Sequence, residues 1–198
     1  AKPLVEAGQE QLGRLIHCSG LYYSIPQTLL AEKLASISHK DLQKSFFCNS
    51  GAEAVEGAVK LAKKYAVSNS RTGMGLIALE GSFHGRLGLS LSLTGQAKYK
   101  KGFSTFAIFP GVSHAPTPYC YRCPLKLTYP DCGLRCGHRI EDIIKYHTSS
   151  DIAAIIVEPI LGEGGIIVPP DGYLSLVRRI CDENNVLLIV DEVQTGFG

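Results

Sequence analysis

The chain has 198 residues, of which 45% are hydrophobic, so it can bury the core of one domain or slightly more. Its formal net charge is only +2, and the one basic cluster, Lys98 to Lys101, is typical of a solvated loop, so nothing indicates a nucleic-acid partner. No apolar run approaches the roughly 18 residues that span a bilayer, so we expect no membrane partner either.

Segments with helical and strand-like apolar spacing alternate along the chain. In chain order, the predicted elements are helices from Val5 to Ile16 and Leu29 to Ile37, a strand from Ser45 to Cys48, a helix from Ala52 to Ala66, strands from Leu76 to Leu79, Thr105 to Phe109 and Ala153 to Val157, a helix from Tyr173 to Cys181, and a strand from Val186 to Val190. Because the last strand is a short, uninterrupted apolar run, we expect it to be a central strand that is buried on both faces.

This alternation predicts an α/β fold with a largely parallel sheet and right-handed crossovers. Such folds bind ligands at the carboxyl ends of their strands, so polar residues that follow a strand are the candidate site residues. The irregular region at about 111–137 is rich in Pro, Tyr and Cys, and we interpret it as a long loop or insert.

The segment from Asn49 to Ala54 joins a predicted strand to the helix that follows it. Small residues in the first turn of a helix leave backbone N–H groups open, and these groups bind anions such as phosphate. The alternative is an ordinary cap, in which Asn49 or Ser50 caps the helix and Glu53 completes a capping box. Taken alone, the segment favours neither interpretation.

The segment from Gly81 to Arg86 follows the strand that ends at Leu79. Phe83 and His84 lie between two glycines and suit stacking on a flat ligand, which makes both candidate ligand-binding residues. Arg86 can bind a carboxylate through two parallel hydrogen bonds. The alternative is a turn in which Phe83 packs inward and Arg86 is solvated.

Acidic residues follow the last two strands. Glu158 and Glu163 lie on a Gly-rich loop after Val157, where they can bridge a ligand or an arginine, or else be exposed acids on a flexible connector. Asp191 directly follows the final apolar run, so its carboxylate can bind a cationic ring nitrogen in dry surroundings.

These segments meet at one edge of the predicted sheet and together describe a receptor for a flat, cationic, phosphorylated ring. One segment offers a phosphate site, one an aromatic face and one a buried carboxylate. Pyridoxal phosphate fits this description. A nicotinamide dinucleotide fits less well, because no Gly-x-Gly-x-x-Gly follows the first strand.

In this order, the segments 49–54, 82–86, 158–165 and 191–196 resemble the successive sequence blocks of class III aminotransferases. These are pyridoxal-phosphate enzymes of fold type I, and they include 4-aminobutyrate, ornithine and acetylornithine aminotransferases. The resemblance implies that residues 1–198 are part of a mainly parallel, seven-stranded large domain. It also implies a homodimer that transfers an amino group from an ω- or α-amino donor to a 2-oxo acid.

The resemblance implies a role for each residue around the cofactor. Gly51 and Ala52 would bind the phosphate of pyridoxal phosphate, and Ser50 would support the turn. Phe83 would stack on one face of the pyridine ring, and Val193 would contact the other face.

It implies further roles around the ring edge and the substrate. Asp191 would pair with the ring nitrogen, and Gln194 would approach the phenolic oxygen. Arg86 would lie near the substrate carboxylate, as in some members of the family, and Glu163 would correspond to an acid that pairs with a switching arginine. Glu158 would lie behind the groups that touch the cofactor.

One departure from the family concerns the Schiff-base lysine, which family members carry on a strand well beyond the block that contains Asp191. We therefore expect no catalytic residue and no small C-terminal domain within these 198 residues, and no transamination by this polypeptide alone. A coding sequence that continues to a lysine block would support an enzyme fragment, and a stop codon would support a non-catalytic half-domain binding protein. A related racemase, mutase or dialkylglycine decarboxylase shares every block and is the alternative among enzymes.

A second departure is the group of four cysteines, Cys120, Cys123, Cys132 and Cys136, within the irregular region. Their spacing can enclose zinc or an iron–sulfur cluster, but free thiols or a local disulfide also fit the unusual loop lengths, so we assign no metal. The odd total of seven cysteines and the lack of a charged-then-apolar leader favour a cytoplasmic protein.

Overall fold

A computed structural model of the chain describes residues 2–103, 109–148 and 151–197 and divides into two units, residues 1–47 and 48–198. The first unit contains two helices, α1 (Lys2–Leu12) and α2 (Ile25–Ile37). Pro26 stands in the first turn of α2, where the N–H that proline lacks would have no partner in the helix. Neither helix contains a buried residue, so the described core belongs to the second unit.

The second unit contains the sheet and the helices that cover it. Its elements are α3 (Gly51–Ser68), β1 (Gly75–Leu79), α4 (Gly88–Leu93), α5 (Ala97–Lys100), β2 (Val112–Ala115), a 3-10 turn (Cys120–Arg122), α6 (Arg135–Tyr146), β3 (Ile152–Val157), α7 (Tyr173–Glu183) and β4 (Leu187–Val190). Within the described ranges, no helix combines the length and apolar character needed to cross a lipid bilayer.

The four strands form one parallel sheet in the order β2-β1-β3-β4. Every residue of β1 and β3 is buried, as expected for strands with helices on both faces. Because all four strands run in the same direction, their carboxyl ends meet at one edge of the sheet. The segments that follow Leu79, Val157 and Val190 are therefore neighbours in space.

Helices pack on both faces of the sheet and create two core clusters. The stripe that α3 buries consists of Val55, Val59, Ala62 and Ala66. These side chains share one cluster with Ala78 of β1 and Ile156 of β3. On the other face, Ile140 of α6 and Ile180 of α7 share a cluster with Ile77. Neighbouring residues of β1 belong to opposite clusters because side chains alternate across a strand.

The predicted α/β architecture with a parallel sheet is confirmed. The helices predicted at 5–16, 29–37, 52–66 and 173–181 and the strands predicted at 76–79, 153–157 and 186–190 each correspond to an observed element with slightly shifted ends. The strand predicted from Ser45 to Cys48 is wrong, because these residues are exposed and form no ladder. The strand predicted from Thr105 to Phe109 lies outside the described residues except for Phe109, which is in no strand.

Two further expectations need correction. The region at about 111–137, predicted as a loop or insert, begins with strand β2 and runs into helix α6. The sequence of β2 is Val-Ser-His-Ala, in which only Ala115 is buried, so apolar spacing does not reveal this strand. Strand β4 is not buried on both faces: among the described strands it pairs only with β3, and Val190 is 47% exposed.

Candidate functional site

A cavity of about 330 Å³ lies at the carboxyl edge of the sheet. The start of α3 and the segments after β1, β3 and β4 line it. Every site residue predicted from the sequence lines this cavity except Glu163. These residues are Ser50, Gly51, Ala52, Phe83, His84, Arg86, Glu158, Asp191, Val193 and Gln194. Motifs that are far apart in the sequence therefore form one site.

The first turn of α3 is both capped and open to a ligand. Ser50 Oγ accepts a hydrogen bond from the N–H of Glu53 at 3.3 Å, and Glu53 Oε2 accepts one from the N–H of Asn49 at 2.6 Å. No group in the described part of the chain accepts a hydrogen bond from the N–H of Gly51 or Ala52. Ser50 therefore caps the helix as the alternative predicted, but Glu53 accepts from Asn49 and not from Ser50, so the predicted capping box does not form. The cap still leaves two donors at the positive end of the helix.

Gly51 packs so closely against the side chain of Val193 that a residue with a Cβ atom would not fit without a shift of Val193. A Cβ atom on Gly51 would stand 2.8 Å from Val193 Cγ1 and 2.9 Å from Val193 Cγ2. Val193 is also 63% exposed, so its side chain lines the cavity instead of filling the core. The absence of a Cβ at position 51 allows the backbone of α3 and the side chain of Val193 to form one wall of the cavity.

A buried histidine–aspartate pair lines the same cavity. His84 Nδ1 lies 2.8 Å from Asp191 Oδ2, and the two side chains are 0% and 5% exposed. Asp191 Oδ1 accepts a hydrogen bond from the N–H of Val193 at 3.1 Å. Both oxygens of the carboxylate are therefore held. His84 Nε2 is buried and has no hydrogen-bond partner among the described residues.

Glu158 connects the segments that follow β1 and β3. Its Oε1 accepts a hydrogen bond from the N–H of Phe83 at 2.8 Å, and its Oε2 accepts one from the N–H of Gly162 at 3.0 Å. Burial raises the pKa of this carboxyl, and the hydrogen bond from Phe83 and the nearby His84 oppose that change. Glu158 lines the cavity while it fixes the backbone on which Phe83 stands.

Aromatic and cationic side chains cluster beside the cavity. The rings of Phe83 and Tyr99 lie edge to face, with centroids 5.1 Å apart. Arg86 Cζ lies 5.8 Å from the Phe83 centroid and 5.4 Å from the Tyr99 centroid. The hydroxyl of Tyr99 donates to Glu163 Oε2 at 3.1 Å. Glu163 does not line the cavity, but Tyr99 connects it to the residues that do.

Two residues of the site have no signal in the sequence. Thr94 accepts a hydrogen bond from the N–H of His84 through its Oγ1 at 3.0 Å and so helps to fix the histidine. Tyr99 lies in the lysine-rich segment that was interpreted as a solvated loop. A third residue, Gly85, could be recognised from the sequence, because it is a glycine within the segment from Gly81 to Arg86. The structure explains this glycine, since its φ of +128° favours glycine and a Cβ there would stand 2.8 Å from Ala52 Cβ.

The four cysteines of the irregular region line a second and much smaller cavity, of about 10 Å³. All four are free thiols. Within residues 2–103, 109–148 and 151–197, no three His, Cys, Asp or Glu side chains are arranged to hold a metal ion. Burial raises the pKa of Cys120 and Cys136, and the neighbouring thiols raise both further. The four thiols therefore line one cavity, but in the described structure they are not arranged as ligands of a metal ion.

Comparison with known proteins gives one consistent result. The family described as aminotransferase class-III matches residues 2–198. An acetylornithine aminotransferase of Methanopyrus kandleri is 43% identical over 195 residues, which are 98% of this chain and 43% of that protein. An acetylornithine aminotransferase of Methanosarcina mazei is 45% identical over 195 residues, which are 98% of this chain and 42% of that protein. The chain thus spans less than half the length of these relatives.

Solved structures show the same similarity. An (S)-enantioselective omega-transaminase from Thermomicrobium roseum superposes with a TM-score of 0.88 at 32% identity, over 96% of this chain and 43% of that chain. An amine transaminase from an uncultivated Pseudomonas species, in a PLP-bound form, superposes with a TM-score of 0.87 at 30% identity, over 100% of this chain and 44% of that chain. The fold predicted from the sequence, that of a fold type I transaminase large domain, is confirmed.

Proposed function

The chain belongs to the class-III aminotransferase family, and we propose on that basis that it forms the cofactor-binding part of a pyridoxal-phosphate-dependent aminotransferase. The whole enzyme transfers an amino group from an ω- or α-amino donor to a 2-oxo acid. The observation that carries this proposal is the cavity itself. It joins two open N–H groups at the start of α3 to a buried carboxylate at the end of β4, which suits a phosphorylated, cationic ring.

The residues that line the cavity fit pyridoxal phosphate. The N–H groups of Gly51 and Ala52, at the positive end of α3, bind the phosphate. Phe83 and Val193 would hold the ring, and Gln194 would offer a polar group to its phenolic oxygen. When bound, pyridoxal phosphate supplies an electron sink that weakens the Cα–H bond of the substrate.

Asp191 keeps a proton on the ring nitrogen, and His84 keeps Asp191 in position. The carboxylate accepts hydrogen bonds from its own loop and faces the imidazole at 2.8 Å, so it is oriented before any ligand arrives. A preorganised charge costs no rearrangement when the ring binds, which strengthens its effect on the ring nitrogen.

Arg86 binds the carboxylate of the substrate. It is exposed beside the cofactor cavity and, among the described residues, forms no ion pair, so its donors are available. No lysine of the described chain lines the cavity. We therefore place the lysine that bonds covalently to the cofactor in this family elsewhere in the whole protein.

The relatives favour transamination over the alternatives. The curated relatives are named acetylornithine aminotransferases and the solved structures are named transaminases, whereas a racemase, mutase or dialkylglycine decarboxylase would share the cofactor site alone. Acetylornithine is accordingly the first donor to test. A cytoplasmic homodimer, as the resemblance implies, is part of the same proposal. A non-catalytic half-domain binding protein is the alternative outside enzymes.

The test uses the protein encoded by the complete reading frame. With pyridoxal phosphate it should show the visible absorption of bound cofactor and should convert acetylornithine and 2-oxoglutarate to the corresponding amino-transfer products. Asp191→Ala should greatly weaken both signals. Asp182→Ala, which removes an exposed surface ion pair with Arg178, is the matched control and should change neither. Cofactor binding without transfer, with racemisation or release of carbon dioxide instead, would select one of the alternatives.

A further inference from the structure

Arg86 lies over two aromatic rings and, among the described residues, forms no ion pair with a carboxylate. Its Cζ atom lies within 6 Å of the centroids of both Phe83 and Tyr99, at 5.8 Å and 5.4 Å. A guanidinium group over an aromatic face keeps its N–H groups free at its edge, where a planar carboxylate binds. The rings therefore restrict Arg86 without using the donors that a substrate needs.

Tyr99 is itself fixed from several directions. Its ring meets the edge of Phe83, and its hydroxyl donates to Glu163 Oε2 at 3.1 Å. Lys98 Nζ lies 4.8 Å from the centroid of the same ring. A side chain with these contacts loses little further freedom when a ligand binds, so it can hold a flexible arginine at low entropic cost.

Tyr99 lines a cavity that adjoins the cofactor cavity. It does not line the cofactor cavity, but with Arg86, Lys98, Leu91 and Phe103 it lines a third cavity, of about 420 Å³. Arg86 is common to both cavities. The described residues that line this third cavity include two cations, Arg86 and Lys98, and no carboxylate, which suits an anionic group of a substrate.

We propose that Tyr99 is a positioning residue that orients Arg86 to bind the substrate carboxylate, and that it does so through its aromatic face. This inference rests on the proposed function, because that function makes Arg86 the carboxylate ligand. The hydroxyl group of Tyr99 has a separate task, which is to keep the ring in place through Glu163. A residue that acts in this way affects the binding of carboxylate substrates more than the rate of the chemical step.

The test compares variants of the complete enzyme loaded with pyridoxal phosphate. Tyr99→Phe keeps the aromatic face, and Tyr99→Met keeps the approximate volume but removes the face. Pentafluorophenylalanine placed at position 99 keeps the shape of the ring and reverses its electrostatic face, so it tests the same point if Tyr99→Met does not fold. Tyr146→Met is the matched control, because Tyr146 carries a similar lysine contact, at 4.9 Å from Lys145 Nζ, on an exposed helix end.

The expected result separates binding from turnover. The KM for a carboxylate donor should rise about five- to tenfold in Tyr99→Met and in the fluorinated variant, and less than about twofold in Tyr99→Phe. The kcat and the KM for an amine donor without a carboxylate should change less than about twofold. The Kd of succinate, an unreactive dicarboxylate, measured by calorimetry, should rise by the same factor as the KM. Tyr146→Met should equal the wild type in each measurement.

Three results would overturn one or the other proposal, and each shows which of the two is wrong. If the wild type transfers amino groups but all Tyr99 variants keep the KM and the succinate Kd within about twofold, the inference about Tyr99 is wrong and the function stands. An equal rise in KM for amine and carboxylate donors would also contradict the inference about Tyr99, because such a rise would indicate a general defect of the enzyme. If the wild type binds no pyridoxal phosphate and transfers no amino group, the proposed function itself is wrong.

Discussion

His84 and Asp191 are 107 residues apart in the sequence, yet His84 Nδ1 lies 2.8 Å from Asp191 Oδ2 in a buried pair. The contact joins the segment after β1 to the segment after β4. It fixes the orientation of a carboxylate that the proposed function assigns to a ring nitrogen. The energetic importance of this contact can be measured without any cofactor.

Replacing His84 should destabilise the cofactor-free protein. His84→Phe leaves Asp191 Oδ2 buried without a hydrogen-bond partner, so we expect the free energy of unfolding to fall by about 2 kcal/mol in denaturant titrations. His138→Phe is the matched control, because His138 Nδ1 also faces a carboxylate, Glu141 Oε2 at 2.6 Å, but both side chains are more than 30% exposed. The control should lose less than about 0.5 kcal/mol. An equal decrease in the free energy of unfolding of the two variants would show that burial does not make the His84 contact more stabilising than the exposed one.

A methyl group at position 51 should interfere with cofactor binding. In Gly51→Ala the new Cβ would stand 2.8 Å from Val193 Cγ1, so Val193 must move within the cavity wall. Overpacking of this kind costs about 1–3 kcal/mol, so we expect the Kd for pyridoxal phosphate to rise about tenfold in equilibrium titrations.

Two further variants control that result. Gly8→Ala adds the same methyl group to a helix where no atom lies within 4 Å of the new Cβ, so the cofactor Kd should not change. Val193→Ala removes the atoms that the new Cβ would meet, so the double variant should lose less affinity than the sum of the single losses. Strict additivity would contradict the steric explanation.

The pH dependence of stability should reveal the buried carboxyl of Glu158. Burial raises its pKa above the ordinary value of 4.5, so the folded protein holds this proton more tightly than the unfolded chain. The stability contributed by this proton is fully present below the unfolded pKa and is lost as the pH rises through the folded pKa. The free energy of unfolding of the cofactor-free wild type, relative to Glu158→Gln, should therefore fall as the pH rises above 4.5. A relative stability that rises over this range would mean that the hydrogen bonds from Phe83 and Gly162 outweigh desolvation.

The four cysteines that line the small cavity should be isolated as thiols. We expect zinc and iron well below one equivalent in purified protein, and alkylation of Cys120, Cys123, Cys132 and Cys136 on unfolding without reductant, measured by peptide mass spectrometry. A full equivalent of metal that is lost in Cys132→Ser would instead identify a metal site. Cys48→Ser, which changes an exposed thiol outside this region, is the control and should not alter the metal content.

Local patterns in the sequence were sufficient for much of this fold. The buried stripe of α3 follows helical spacing, and β1 and β3 are short apolar runs whose residues are all buried. The site residues could be found because parallel strands bring the segments after them to one edge. The strand β2 could not be found, since its Val-Ser-His-Ala sequence is stabilised by pairing with β1 and not by an apolar pattern.

Contacts between distant segments were the part that local patterns could not provide. Asp191 was recognised as a candidate from its position after an apolar run, but nothing in that run indicates that His84 is its partner. Tyr99 and Thr94 likewise act through contacts with residues of other segments. The exposure of β4 depends on which strands lie beside it, and its apolar sequence does not contain that information.

The register of β4 against β3 determines whether a folded molecule can bind the cofactor. Val190 pairs with Val157, and the N–H of Asp191 donates to the carbonyl of Val157 at 2.8 Å. A slip of one residue would turn Asp191 to the opposite face of the sheet and away from His84. Pyridoxal phosphate would then stabilise only molecules with the native register, by about 2.7 kcal/mol at a hundredfold excess over its Kd. Because the cofactor would bind only molecules with the native register, it would favour that register during folding. The fraction of molecules that bind cofactor would then equal the correctly aligned fraction of a preparation.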